Sequence, residues 1–201
     1  IIDNGKYYIL LDEVQFVHDF ESVLNSFLHI KNVDVYVTGS NAKFLSSDII
    51  TEFRGRGDQI YLSSLSFKEY FDYCKMDFDD AWNEYSMFGG MPYLLTCKSD
   101  EQKINYLENL FTETYIKDIV NRNNIRNTEV LEDVLNIVSS SVGSLTNPNK
   151  LSNSFKSIKN IDVAPNTIKQ YLDCCVDSFL LQKAYRYDVK GKKYIDTPLK
   201  Y

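Results

Sequence analysis

The sequence has little glycine and little proline, eight and four residues in 201, and no low-complexity run. With an apolar share of 44%, this excludes a disordered chain and points to ordered, globular structure with ample length for a core. No apolar stretch approaches the roughly 20 residues that span a bilayer, so no membrane partner is expected. Histidine is almost absent; His18 and His29 lie far from any cysteine. The cysteines, Cys74, Cys97, Cys174 and Cys175, form no CxxC pair and show no metal-ligand spacing, which leaves no zinc site or disulfide framework to propose. Four reduced, mostly buried thiols suit a cytoplasmic protein. Also missing at Ile1-Ile2-Asp3-Asn4-Gly5 are an initiator Met and a basic-then-apolar leader, so the expectation is an internal fragment of a longer chain.

The net charge of −6 is unevenly shared. Residues 1–129 carry 12 Lys and Arg against 21 Asp and Glu, whereas residues 130–201 carry 10 against 7. A polyanionic partner is therefore expected to meet the C-terminal part, if the protein has one.

Patterning divides the chain further. Tyr7-Tyr8-Ile9-Leu10-Leu11 is an almost wholly apolar run ending at Asp12-Glu13, which suits a strand buried on both faces. Between Val14 and Ile30, the residues Phe16, Phe20, Val23, Leu24, Phe27 and Leu28 recur at helical spacing. The β-branched run Val33 to Thr38 then stops at Gly39-Ser40-Asn41. Strand, helix and strand with short links predict a right-handed βαβ unit, with both polar strand ends on one carboxyl edge. Gln59 to Leu62 reads as another short strand. Ser66-Phe67-Lys68-Glu69 is a capping box, and residues 79–122 are helical with a break at Gly89-Gly90-Met91-Pro92.

A second helical group follows. Val130, Leu131, Val134, Leu135 and Val138 make one stripe, and Asn147-Pro148 caps a helix with Leu151, Phe155 and Ile158 inward. Pro165 opens a third helix with Ile168, Tyr171, Leu172, Cys175 and Phe179 on one face. Leu180 to Tyr187 reads as a strand, with a turn over 188–193 and a return at Tyr194-Ile195. Three helices and a β-hairpin predict a winged helix. Most of the rings, among them Phe16, Phe20, Phe27, Phe67, Phe71, Tyr106 and Phe111, sit at stripe positions and are expected in the core.

Four apolar residues before Asp12-Glu13 have the form of a Walker B motif. A carboxylate at the end of a buried strand can hold Mg²⁺ through water, and the next can orient the water that attacks a γ-phosphate. A solvated strand end with two acids is the alternative. Ser40 and Asn41, ending the next strand, suit either a γ-phosphate sensor or a helix N-cap. Arg54 and Arg56 flank Gly55 in a turn, where they could stabilise phosphoryl charge or simply be solvated.

Several of these motifs occur in a fixed order: Tyr8-Ile9-Leu10-Leu11-Asp12-Glu13-Val14-Gln15, Val37-Thr38-Gly39-Ser40-Asn41, Phe53-Arg54-Gly55-Arg56, Leu62 to Tyr70, and Gly89-Gly90-Met91-Pro92. That order resembles the prokaryotic AAA-type ATPases related to the archaeal ATPase and STAND groups, in which a winged helix and a restriction-endonuclease-like domain follow the ATPase core. The likeness continues through Val142-Gly143, Thr167 to Leu172 and Tyr185 to Lys192. It implies ATP and Mg²⁺ as cofactors of the intact protein, with Asp12 as the metal carboxylate and Glu13 as the water-orienting base. Ser40 or Asn41 would be the sensor, and Arg54 or Arg56 the charge stabiliser. The chain departs from the family in one respect. None of its glycines fits the phosphate loop GxxxxGK[ST], so this polypeptide alone is expected not to hydrolyse ATP.

The expected architecture is α/β plus all-α. A partial parallel nucleotide-binding domain (1–65) is followed by a helical connector (66–126) and a winged helix (127–201). On the third helix Asn166, Thr167, Lys169, Gln170 and Asp173 would face outward, with Arg186, Lys190, Lys192 and Lys193 on the hairpin. That set suits DNA, Asp173 excepted. Two alternatives to an ATPase stand beside it: a non-enzymatic DNA-binding or protein-binding adaptor, and a degenerate relative without nucleotide. A bare sheet edge is expected to favour homo-oligomers.

Overall fold

The computed structural model describes residues 5–14, 17–39, 57–185 and 198–201. The chain divides into two compact units, one of residues 1–57 and 125–201, the other of residues 58–124.

In the first unit β1 (Tyr7–Leu11) and β2 (Val33–Val37) are joined by α1 (Phe20–Phe27). The strands pair in parallel, from Tyr7 opposite Val33 to Leu11 opposite Val37. Val14, Phe20 and Leu24 form a buried cluster, against which Leu11, Phe27, Val35 and Val37 pack. Only one face of β1 is covered: Tyr8 is exposed and Leu10 is 75% exposed. The expected burial on both faces is thus corrected for the described residues. An apolar run marks strand propensity, but a second packing layer must come from elsewhere. Helix α1 is also shorter than the pattern predicts, and Val23 and Leu28 are exposed.

Among the described residues, the remainder of this unit holds three helices: α6 (Thr128–Ser139), α7 (Pro148–Ser154) and α8 (Pro165–Asp177). Asn127 and Asn147 each cap the helix that follows, accepting from Val130 N–H at 3.2 Å and Lys150 N–H at 2.8 Å. All five residues of the predicted α6 stripe are buried, as are Ile168, Tyr171, Leu172, Cys174 and Cys175 of α8. Ile158 and Phe179 are exposed instead of inward. Helix α7 gives way to a π-helical turn over Phe155–Lys159, whose wider winding rotates Ile158 off the stripe. Phe179 lies beyond the end of α8 in the left-handed region. Leu180 to Tyr185 does not form the expected strand; Ala184 makes a single antiparallel bridge to Lys200, and Thr146 makes another to Leu199.

The second unit begins as irregular chain. The strand expected over Gln59–Leu62 is not formed, and Ile60 and Leu62 are exposed. Helices α2 (Phe67–Cys74), α3 (Phe78–Phe88), α4 (Asp100–Asn109) and α5 (Lys117–Asn123) follow, with a 3₁₀ turn over Pro92–Thr96 and a π-helical stretch over Leu110–Ile116. Phe111 is exposed rather than in the core. The capping box forms as expected: Ser66 Oγ accepts from Glu69 N–H, and the Glu69 carboxylate accepts from Ser66 N–H at 2.8 Å. These bonds hold the Glu69 carboxyl below its usual range. The predicted break is a close approach. Leu65 N–H donates to Gly90 O at 2.8 Å, and a Cβ on Gly90 would lie 2.0 Å from Leu65 O.

The buried side of this unit contains a charge. Lys103 is 7% exposed; its Nζ lies 2.6 Å from Glu84 Oε1 and 4.9 Å from the centre of the Phe88 ring. Tyr70 donates to the same Glu84 oxygen at 2.7 Å. Burial draws the lysine down, but the bond to Glu84 leaves it raised overall. All four cysteines are free thiols, Cys174 and Cys175 buried.

Candidate functional site

The carboxyl ends of β1 and β2 meet at one rim. Thr38 N–H donates to Leu11 O at 2.9 Å, continuing the ladder one step past β2. The chain then turns at Asp12-Glu13, where Glu13 takes a left-handed conformation at φ 50°, unusual for a residue with a side chain. Two bonds from Thr38 hold that turn: its hydroxyl donates to the Asp12 carboxylate and accepts from Glu13 N–H at 3.2 Å. Val14 N–H in turn donates to Thr38 O at 3.3 Å, and the buried Val14 side chain anchors the turn in the core under the sheet.

At the opposite end the strands are tied separately. Lys6 pairs with Asp34 at 2.9 Å, and Asn32 donates to Gly5 O at 2.8 Å. Register is therefore pinned at both ends, so Asp12 and Thr38 meet although 26 residues separate them in sequence.

Asp12 is exposed at this rim and Glu13 half-buried. Thr38, to which sequence reasoning gave no role, is the residue that joins the two strand ends; its signal was a hydroxyl one place beyond a β-branched strand and one before glycine. Ser40, Asn41, Arg54 and Arg56 lie outside the described residues, as do Arg186, Lys190, Lys192 and Lys193. Far along the chain, Asn166, Lys169 and Gln170 are exposed on α8, with Thr167 half-buried. Asp173 forms an ion pair with Lys183, so that acid is locally neutralised.

Comparison with known proteins bears on both parts of the chain. Residues 79–201, more than half of it, match the family described as Domain of unknown function (DUF8612). The chain belongs to the DUF8612 family. Its first part, residues 1–71, matches an AAA domain. The rim of this DUF8612 chain therefore lies in a segment like that of AAA-type ATPases. An uncharacterized protein of Haemophilus influenzae is 34% identical over 98% of the chain and 50% of its own length. An uncharacterized protein of Methanocaldococcus jannaschii, MJ1544, is 24% identical over 92% of the chain and 44% of its own length. The chain thus spans about half the length of the curated relatives it matches. No solved structure matches it.

Proposed function

We propose that the rim of β1 and β2 is the acidic part of a Mg²⁺–ATP site, used for ATP hydrolysis by the longer protein of which this chain is a part. One observation carries the proposal: Asp12 and Thr38 are bonded at the same carboxyl edge of a parallel pair, inside the segment that matches an AAA domain. Open α/β sheets bind ligands at that edge. Exposed hard oxygen donors suit Mg²⁺. Among the described residues no three His, Cys, Asp or Glu side chains gather as a metal site. A cation at Asp12 would keep water and phosphate among its other ligands, the usual habit of Mg²⁺. Glu13, next in the chain, is proposed as the water-orienting base, with Ser40 or Asn41 as sensor and Arg54 or Arg56 as charge stabiliser. The phosphate loop is proposed to come from sequence outside these 201 residues.

The test uses the intact protein. Glu13→Gln should retain ATP binding while turnover falls by about a hundredfold or more. Undiminished turnover in that variant removes the assignment.

A second reading concerns residues 127–201, as a winged helix that binds DNA. Its support is the order of elements: α6, a bridge at Thr146, α7, α8, a bridge at Ala184, and Leu199-Lys200 bridged to both. The neutralised Asp173 removes an obstacle to phosphate on α8. Taken alone, this part would serve as a non-enzymatic adaptor for DNA or protein.

A further inference from the structure

The helical unit 58–124 carries an apolar surface that its own core does not use. Helices α2 and α3 bury Tyr70, Ala81 and Phe88. Beside them, Phe67 meets Trp82 edge-on with ring centroids 4.9 Å apart, Phe78 at 5.5 Å and Tyr85 at 5.4 Å. Phe71 closes the group against Phe78 at 5.8 Å. Such mutual contacts hold rings in fixed orientations, yet Phe78 is 59% and Trp82 49% exposed. Rigid, half-exposed aromatic rings are the residues that anchor protein interfaces.

The charge around these rings is mainly negative. Residues 66–88 hold six acids against two lysines. Glu69 is engaged in its capping box and Glu84 with Lys103. Asp77 caps α3, accepting from Asp79 N–H at 3.0 Å and Asp80 N–H at 3.3 Å, but among the described residues no Lys, Arg or His pairs with it or with Asp72, Asp79 or Asp80. Asp77 and Asp79 flank Phe78 directly in the chain, and Asp80 follows. A hydrogen bond shared with the Asp77 side chain, and after it the Asp77 charge, raise the Asp80 carboxyl above its usual range; an incoming cation would favour its ionised form.

We propose that the exposed rings of α2 and α3, together with the carboxylates beside Phe78, dock a basic amphipathic segment of a partner protein. Its apolar side covers Phe78 and Trp82, and its lysine or arginine side chains meet Asp77, Asp79 and Asp80. Charge complementarity selects this occupant. Carboxylates repel a nucleic-acid backbone, whereas a lysine or arginine gains both from the carboxylates and from the face of an aromatic ring.

Trp82 is the chain's one tryptophan, so its emission reports directly on the surface. The probe is a helical leucine–lysine peptide, with a leucine–glutamate peptide of the same pattern as control. The basic peptide should give a saturable blue shift that weakens with salt. Binding should fall by about tenfold or more in Phe78→Ala and in Asp79→Asn/Asp80→Asn, with circular-dichroism melts confirming that both variants fold. Four results would overturn the proposal: no shift, an equal response to the acidic peptide, wild-type binding by both folded variants, or a shift that follows the chain's own concentration without peptide. The last would give the surface to a second copy.

Discussion

Removing the Lys103 charge while keeping its bulk, in Lys103→Met, tests the energetics of the helical unit. Breaking a buried ion pair from one side generally costs about 3–5 kcal/mol, because the remaining charge stays buried without its partner. Here the remaining charge is Glu84, whose side chain is 28% exposed and still accepts from Tyr70 at 2.7 Å. Partial hydration and that bond reduce the expected loss to about 2–3 kcal/mol, a sizeable share of a domain's stability. Methionine preserves the packing on Phe88, so cavity formation adds little. The assay is equilibrium urea unfolding followed by Trp82 emission, since Trp82 lies in the same unit. Adding Glu84→Gln should recover much of the loss, because the one carboxylate then left without Lys103 is Asp100, whose side chain is 73% exposed. The pH dependence follows in sign. Burial pushes Glu84 up, but its bonds to Lys103 and Tyr70 leave it below its ordinary 4.5. Its contribution is therefore complete above that value and lost as pH falls through the lowered one. The gap between wild type and Lys103→Met should narrow on acidification below 4.5. A loss under about 1 kcal/mol at neutral pH, or a double variant weaker than the single, refutes the reasoning.

Further outcomes are specific to other positions. Gly90→Ala would place a Cβ against the Leu65 carbonyl and should cost about 2 kcal/mol or more in the same urea assay. Thr38→Val removes both bonds that hold the Asp12-Glu13 turn; in the intact protein ATP turnover should fall by about tenfold with a higher Mg²⁺ requirement, measured by steady-state phosphate release. Duplex DNA titrated at two salt concentrations should show a log–log slope of roughly −3 to −4 if Arg186, Lys190, Lys192 and Lys193 each neutralise a phosphate. Absence of binding at low salt would leave residues 127–201 as a protein-contact module.

Local signals carried much of this structure. The helices of residues 128–177 were legible because their stripes repeat within one element, and because the Asn147-Pro148 cap and Pro165 at the first position of its helix act on the next few residues. The capping box at Ser66 and the break at Gly89-Gly90 are of the same kind. Parallel pairing of β1 and β2 followed from the short strand–helix–strand links, which leave the chain few other routes.

Tertiary structure decided the rest. Which face of β1 is covered depends on packing partners, so five apolar residues in a row did not imply two buried faces. Phase was lost where an α-helix passed into a π-helical turn, and Ile158 moved outward with it. No local pattern announced that Lys103 would be buried against Glu84, since it follows the wholly polar run Ser99-Asp100-Glu101-Gln102. Nor could periodicity single out Thr38, whose bond to Asp12 spans 26 residues and exists only once two strands align. Short-range order was written in the spacing of side chains; the meeting of distant polar groups, on which the proposed chemistry rests, required the packed sheet.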